Sequence, residues 1–207
     1  YTLTLVRKTS ASASSELKEA KRVYAAALAM DGNISTAWCE GVKGPGTGET
    51  IHLKFAPAAG NGISVLNGVG TSRALYMQNN RIRKYEAVVT FINGRTRTIT
   101  GEFTEHCGHP DHRACIDHED NAKKLAECEK KVEAECYFDD YNQANKISLP
   151  DYSCITGVKI KILSVFKGSK FDDTCISEIA VSTPLEAGGS LSKAARSRLT
   201  EFEKPCR

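Results

Sequence analysis

Over much of this chain apolar residues recur at every second position, and that period constrains the fold more than any other feature. In residues 49–55 (ETIHLKF) Ile51, Leu53 and Phe55 share one face, and in 157–163 (GVKIKIL) Val158, Ile160 and Ile162 alternate with Lys159 and Lys161. Successive side chains of a strand point to opposite faces, so each segment predicts a strand with one face to core and one to water. Residues 81–92 and 95–103 flank Asn93-Gly94. That dipeptide predicts a hairpin closed by a type I′ turn, with positive φ at both positions. Shorter apolar runs at 2–6, 62–67, 145–149 and 175–182 bring the count to about eight strands, with GPGTG, NG and FKGSKFDD as turns between them. Many short strands joined by Gly-rich turns predict a mainly β chain, a sandwich or jelly roll.

Two stretches depart from this period. Residues 105–144 are strongly polar, and NAKKLAECEKKVEAEC within them is built of good helix formers that Asp120 or Asn121 can cap. At the other end TPLEAGG reads as a linker. SLSKAARSRLTEF then reads as a helix, with Ser190 as N-cap and Leu191, Ala195, Leu199 and Phe202 along one stripe. The expected organisation is a β-sandwich over 1–182, interrupted by a Cys-rich helical hairpin insert at 105–144, then a linker and helical tail over 183–207. No internal repeat is visible.

The chain has eight cysteines: Cys39, Cys107, Cys115, Cys128, Cys136, Cys154, Cys175 and Cys206. An even number with paired spacings reads as a disulfide framework from an oxidising compartment. Cys107 and Cys115 are eight apart, as are Cys128 and Cys136. Eight residues make a little over two helical turns, so each pair faces one way. Two antiparallel helices would set Cys115 beside Cys128 and Cys107 beside Cys136, stapling a hairpin too small to hold itself by burial. The competing reading is zinc, since His106, Cys107, His109, His112, Cys115 and His118 crowd one segment. Their spacing matches no tight knuckle, and disulfides use all four cysteines, so disulfides are expected in preference to zinc.

Bulk properties exclude several classes. Hydrophobic residues are 41% and charged residues 26%, which suits a folded core rather than disorder. A net charge of +3 without a long basic block predicts no nucleic-acid partner. No apolar run reaches the length of a membrane span. The opening YTLTLVRKTS lacks the apolar core and cleavage site of a signal peptide, as a mature or trimmed chain also would. Nucleophile-elbow, HExxH and phosphate-loop motifs are missing, and the Gly-rich GVKGPGTGET precedes a strand rather than a helix. No enzymatic activity is expected.

Several stretches point to a family. DGNISTAW (31–38), preceded by SASSEL (12–17), resembles the opening of discoidin-like domains, which include coagulation-factor C-type domains and many carbohydrate-binding modules. VLNGVG (65–70), LYMQNNRIRKYEAVV (75–89) and ILSVFKGSKFDDTCISEIAV (162–181) resemble the subfamily called the NADase-type glycan-binding domain. The resemblance covers roughly 10–104 and 145–182. It implies an eight-stranded jelly roll that is non-catalytic although named after an NAD-cleaving toxin, with Trp38 buried in the core. It further implies a structural calcium ion held by Asp31, Asn33, Thr36 and Glu178, with Ala29 and Thr36 adding backbone oxygens. Calcium takes six to eight hard oxygen ligands, and Asp-Gly-Asn turns the chain so that oxygens converge. The alternative is a turn held by hydrogen bonds alone.

The subfamily's Tyr-x-x-Asn-x-Arg pattern stands here as Tyr76, Asn79 and Arg81. With Asn67 and Arg73 these residues offer a flat ring, amides and guanidinium forks for sugar hydroxyls, or equally a well-satisfied loop. Lys170, Asp172 and Asp173 are expected to form a salt-bridged turn. Four cysteines remain and admit three pairings, which spacing does not decide. The preferred set is Cys39 with Cys175, whose motifs flank the calcium turn, and Cys154 with Cys206; a buried free Cys175 is the alternative. The expected function is a glycan or glycoprotein receptor module of a secreted, cell-surface or periplasmic protein. The alternative is a protein-interaction module that docks through the helical insert.

Overall fold

The computed structural model describes residues 2–4, 8–104, 121–124, 126–128, 145–183 and 206. Ten strands are formed among them: β1 (Thr2–Thr4), β2 (Lys8–Ala13), β3 (Lys18–Glu19), β4 (Arg22–Val23), β5 (Trp38–Cys39), β6 (Thr50–Asn67), β7 (Arg81–Phe91), β8 (Thr96–Glu102), β9 (Asn145–Phe166) and β10 (Cys175–Thr183). A 3₁₀ turn (Ala26–Met30) precedes the DGN segment, and a short helix α1 (Arg73–Gln78) lies between β6 and β7. All strand pairings are antiparallel. Eight strands form one network ordered β1-β10-β6-β9-β7-β8, with β2 also on β6 and β5 also on β10; β3 and β4 pair apart. This is a mainly β, antiparallel fold.

Burial follows the alternation read in the sequence. Ile51, Leu53 and Phe55 of β6, Tyr85, Ala87 and Val89 of β7, and Val158, Ile160 and Ile162 of β9 all enter the core. Trp38 is fully buried, and its Nε1 donates to the Ser15 carbonyl at 3.0 Å. β10 shows no alternation: every residue from Cys175 to Ser182 is buried. It lies between β6 on one side and β1 and β5 on the other, which carries Ser177 and Glu178 inside.

Several details differ from the sequence reading. The runs 49–55 and 62–67 are halves of β6, and 145–149 and 157–163 are parts of β9. Register shifts between Lys54 and Ala58 and between Gly60 and Gly62 bend the pair without ending it, as bulges do. The 93–94 turn is not type I′. Gly94 has φ 78°, and no described non-glycine residue has positive φ. Gly94 N–H donates to the Phe91 carbonyl and Arg95 N–H to Asn93 Oδ1, while Phe91 N–H bonds the Arg95 carbonyl. This is the three-residue hairpin loop, in which an ordinary turn is followed by one left-handed glycine. β2 and β5 went unforeseen, because KTSASA has only alanines for its inner face and β5 has two residues.

Of the 105–144 insert, residues 122–124 and 126–128 are helical, and Asn121 Oδ1 accepts from Lys124 N–H at 3.1 Å as a cap does. Cys128 is disulfide-bonded. The rest of the expected hairpin, its Cys107–Cys136 and Cys115–Cys128 pairings, its histidines and the 190–202 helix lie outside the described residues. No helix among the described residues is long and apolar enough to cross a membrane.

Candidate functional site

Disulfides join Cys39 to Cys175 and Cys154 to Cys206. The first links residues directly opposite in the β5–β10 register and fixes the end of the molecule where the loops gather. There the DGN segment forms its turn. Asp31 Oδ1 accepts from Asn33 N–H and Asp31 Oδ2 from the Thr36 hydroxyl, both at 2.8 Å. Thr36 N–H also donates to the Asn33 carbonyl. Gly32, at φ 76°, makes the reversal that brings its N–H to Glu178 Oε2 at 3.0 Å. Asp31, Asn33, Thr36 and Glu178 therefore meet, with fully buried Ala29 at the end of the 3₁₀ turn beside them.

Glu178 is 3% exposed. Burial pushes its carboxyl up to about 7; the Gly32 N–H works against this and the Asp31 charge adds to it. Backbone donors and another carboxylate are thus what surround it. The donor set fits a hard cation: two carboxylates, a hydroxyl, an amide oxygen and nearby carbonyls, all oxygen. No described group of three or more His, Cys, Asp and Glu is placed to hold a metal. A cation here would accordingly lean on two carboxylates and neutral oxygens.

The residues expected to touch a ligand are drawn mostly inward. Asn67 clamps the end of β6 to the start of β7: its Nδ2 donates to the Ile82 carbonyl at 2.7 Å, and its Oδ1 accepts from Ile82 N–H at 2.8 Å. Tyr76 and Arg81 are each 3% exposed. The Arg81 guanidinium lies 4.8 Å over the Tyr76 ring and donates to the Tyr76 and Asn79 carbonyls at 2.8 Å. Gly68, at φ 91°, leaves the room for this stack, since a Cβ there would come 2.8 Å from Arg81 Cγ. Asn79 ends α1 with its Nδ2 on the Leu75 carbonyl, and Arg73 is half-buried at the start of the helix. These polar groups hold a loop in shape.

What the loop frames is a cavity of about 290 Å³. Its aromatic walls are Tyr24 and Phe171; Leu28, Val69 and Leu75 add apolar surface, and buried Cys39 also lines it. Polar groups reach it from Glu19, Arg22, Thr36, Asn79 and Asp173. Arg22 lies 5.3 Å over the Tyr24 ring, and the Tyr24 hydroxyl donates to Glu19 Oε2 at 3.3 Å. Burial, then the Glu19 and Asp172 charges, hold the Asp173 carboxyl above its ordinary range. Behind it Glu40 is fully buried, accepting from Val42 and Thr174 N–H; burial raises its pKa against those two bonds.

The 166–173 turn is pinned to α1. Ser169 and Phe171 N–H donate to the Met77 and Gln78 carbonyls, and Gly168 N–H to Asn80 Oδ1. Asp172 pairs with Lys167 at 3.4 Å, both exposed, while Lys170 covers the Phe171 ring. Asn79, Thr36, Asp173 and Cys39 of this cavity carry signals in the sequence, whereas nothing there marks Tyr24, Glu19, Arg22 or Phe171 for a ligand. Tyr24 sits in an alanine-rich stretch without pattern. Phe171 stands among the charges Lys170, Asp172 and Asp173, which mark the segment as a turn rather than a wall.

The family model described as NAD glycohydrolase translocation F5/8 type C domain matches residues 1–182. No curated protein matches the chain. Among solved structures, CpGH89CBM32-5 from Clostridium perfringens in complex with GalNAc-β-1,3-galactose is 18% identical with a TM-score of 0.49, covering 83% of this chain and 93% of that one. CBM32-3 from a family 31 glycoside hydrolase of the same organism is 12% identical with a TM-score of 0.49, covering 87% and 92%. The lectin domain of lectinolysin complexed with Lewis B antigen is 12% identical with a TM-score of 0.46, covering 86% and 95%.

Proposed function

This chain belongs to the family of NAD glycohydrolase translocation F5/8 type C domains, and from that premise we propose that it is a non-catalytic glycan-binding module acting outside the cytoplasm. The observation that carries the reading is the cavity between the 17–37, 69–79 and 166–173 segments, with Tyr24 and Phe171 as aromatic walls and charged and amide groups at its edges. A sugar ring has an apolar face and a polar rim, so it needs aromatic surface and hydrogen-bonding groups together. The volume is at the small end of ligand pockets, which begin at about 300 Å³. It suits a terminal sugar rather than a long stretch of chain. Disulfides favour an oxidising compartment, such as the exterior or the periplasm.

Asp31, Asn33, Thr36 and Glu178, with the Ala29 carbonyl, would hold a structural calcium ion. Bound there, it supplies the positive charge that the two carboxylates lack. Thr36 also lines the cavity, and the Thr71 hydroxyl donates to the Ser35 carbonyl, so the turn shapes one wall of the ligand site.

A glycan array probed with the intact chain tests the reading. The expected result is selective binding that falls at least tenfold in Phe171→Ala and Tyr24→Ala, with melting temperatures close to the parent's. A blank array overturns it, and capture of a protein partner through residues 105–144 then supports the docking alternative.

A further inference from the structure

A second feature stands on the outer face of the sheet, where strand registers collect basic side chains distant in sequence. β6 turns Leu53 inward and His52 and Lys54 outward; β9 turns Ile160 inward and Lys159 and Lys161 outward. His52 lies opposite Lys159, and Thr50 opposite Lys161. On β7, Val88 lies opposite Lys159 and Glu86 opposite Lys161. Hydroxyls extend the face on both sides: Ser10 and Ser12 of β2 lie opposite Lys54 and His52, and Thr98 and Thr100 of β8 opposite Val88 and Glu86. A shallow hollow of about 300 Å³ between Thr50, Glu86, Lys159 and Lys161 opens on this face. Lys54, Lys159 and Lys161 are exposed, and none is in an ion pair among the described residues. Around half-buried His52, burial first and then Lys54 and Lys159 lower its pKa, as closely grouped positive charge requires.

We infer that this face is a separate binding site for the sulfate or carboxylate groups of a linear acidic polysaccharide. It shares no residue with the cavity and does not depend on the reading given to that cavity. Directly opposed side chains of an antiparallel pair stand roughly 5 Å apart, and alternate residues of one strand roughly 7 Å. Three lysines and a histidine on such a lattice, with one glutamate among them, make a flat cationic surface. An extended polyanion can lie across it without entering a pocket. The flanking serine and threonine hydroxyls match sugar hydroxyls as donors and acceptors. None of these outward residues is Phe, Tyr or Trp, and His52 alone offers a ring, so the succession of stacking rings that single-stranded nucleic acid uses is missing from them.

Retention of the intact chain on immobilised heparin tests the assignment, with neutral dextran and oligothymidine as competitors. The parent should be retained and released by rising salt, dextran should not compete, and oligothymidine should compete more weakly than free heparin at equal charge. Lys159→Glu/Lys161→Glu should weaken binding at least tenfold, while Lys159→Arg/Lys161→Arg retains it. Melting temperatures of the variants near the parent's establish that the sheet is intact. Failure of the parent to bind, equal retention of parent and Glu variant, or stronger competition by oligothymidine would overturn it.

Discussion

Glu178 shows what one buried carboxyl does to the molecule around it. Protonated, it suits its place in β10; ionised, it sits beside Asp31 with backbone donors as its partners. Its folded pKa of about 7 exceeds the ordinary 4.5. The stability it contributes is therefore complete below about pH 4.5 and is lost as pH rises through 7. That shift corresponds to about 3 kcal/mol. In the presence of a chelator, denaturant midpoints should fall between pH 5 and pH 7.5, and Glu178→Gln should flatten the fall. At pH 7.5 calcium should raise the parent's melting temperature by several degrees and leave Glu178→Gln unmoved. Arg81 predicts the opposite kind of cost. Removing its guanidinium in Arg81→Ala strands the Tyr76 and Asn79 carbonyls in a buried site, and urea unfolding should register a loss of about 3 kcal/mol. The sequence supplied the residue types of this cluster but not their direction. A Tyr, an Asn and an Arg in a loop satisfy a sugar or a backbone equally well, and the left-handed Gly68 beside them leaves the room in which Arg81 stacks inward.

Single elements carry their own consequences. β5 is two residues long, held to β10 by its register and by the Cys39–Cys175 disulfide. That bond closes a separation of 136 residues, for which the chain-entropy estimate is about 5 kcal/mol. Cys39→Ser/Cys175→Ser should lose about 2–5 kcal/mol in urea. Trp38 is the chain's one tryptophan, so fraying of β5 should shift the fluorescence emission to longer wavelength. The β7–β8 hairpin predicts a purely conformational effect. A Cβ at Gly94 would meet nothing within 4 Å, so Gly94→Ala costs only the strain of positive φ, about 1 kcal/mol by thermal melting. Here the dipeptide located the turn correctly but not its type, because a type I′ loop and a turn with one left-handed glycine share the same Asn-Gly signature.

At the scale of the whole molecule, alternation exposes which strands have one wet face, and it placed parts of β6 and β9, while the Asn-Gly signal placed β7 and β8. β10, buried on every side, was found at 175–182 as an apolar run rather than by alternation, and how separate runs join was not legible, since a bulge leaves little trace in hydrophobicity. The cavity was less legible still. Its walls come from three segments widely separated along the chain, and periodicity cannot report on side chains that meet only through the fold. The uninterrupted course of β6 and β9 has a mechanical meaning. Each shares hydrogen bonds at one end with partners it does not touch at the other, so no crack can run between layers without crossing covalent chain. Amide hydrogens in the stretches paired on both sides, around Leu53 and Val65 of β6 and Ile160 of β9, should exchange only when the whole domain lets go, whereas those of α1 trade with water while the framework stands. A partner that tugs on the loops pulls against a solid anchor.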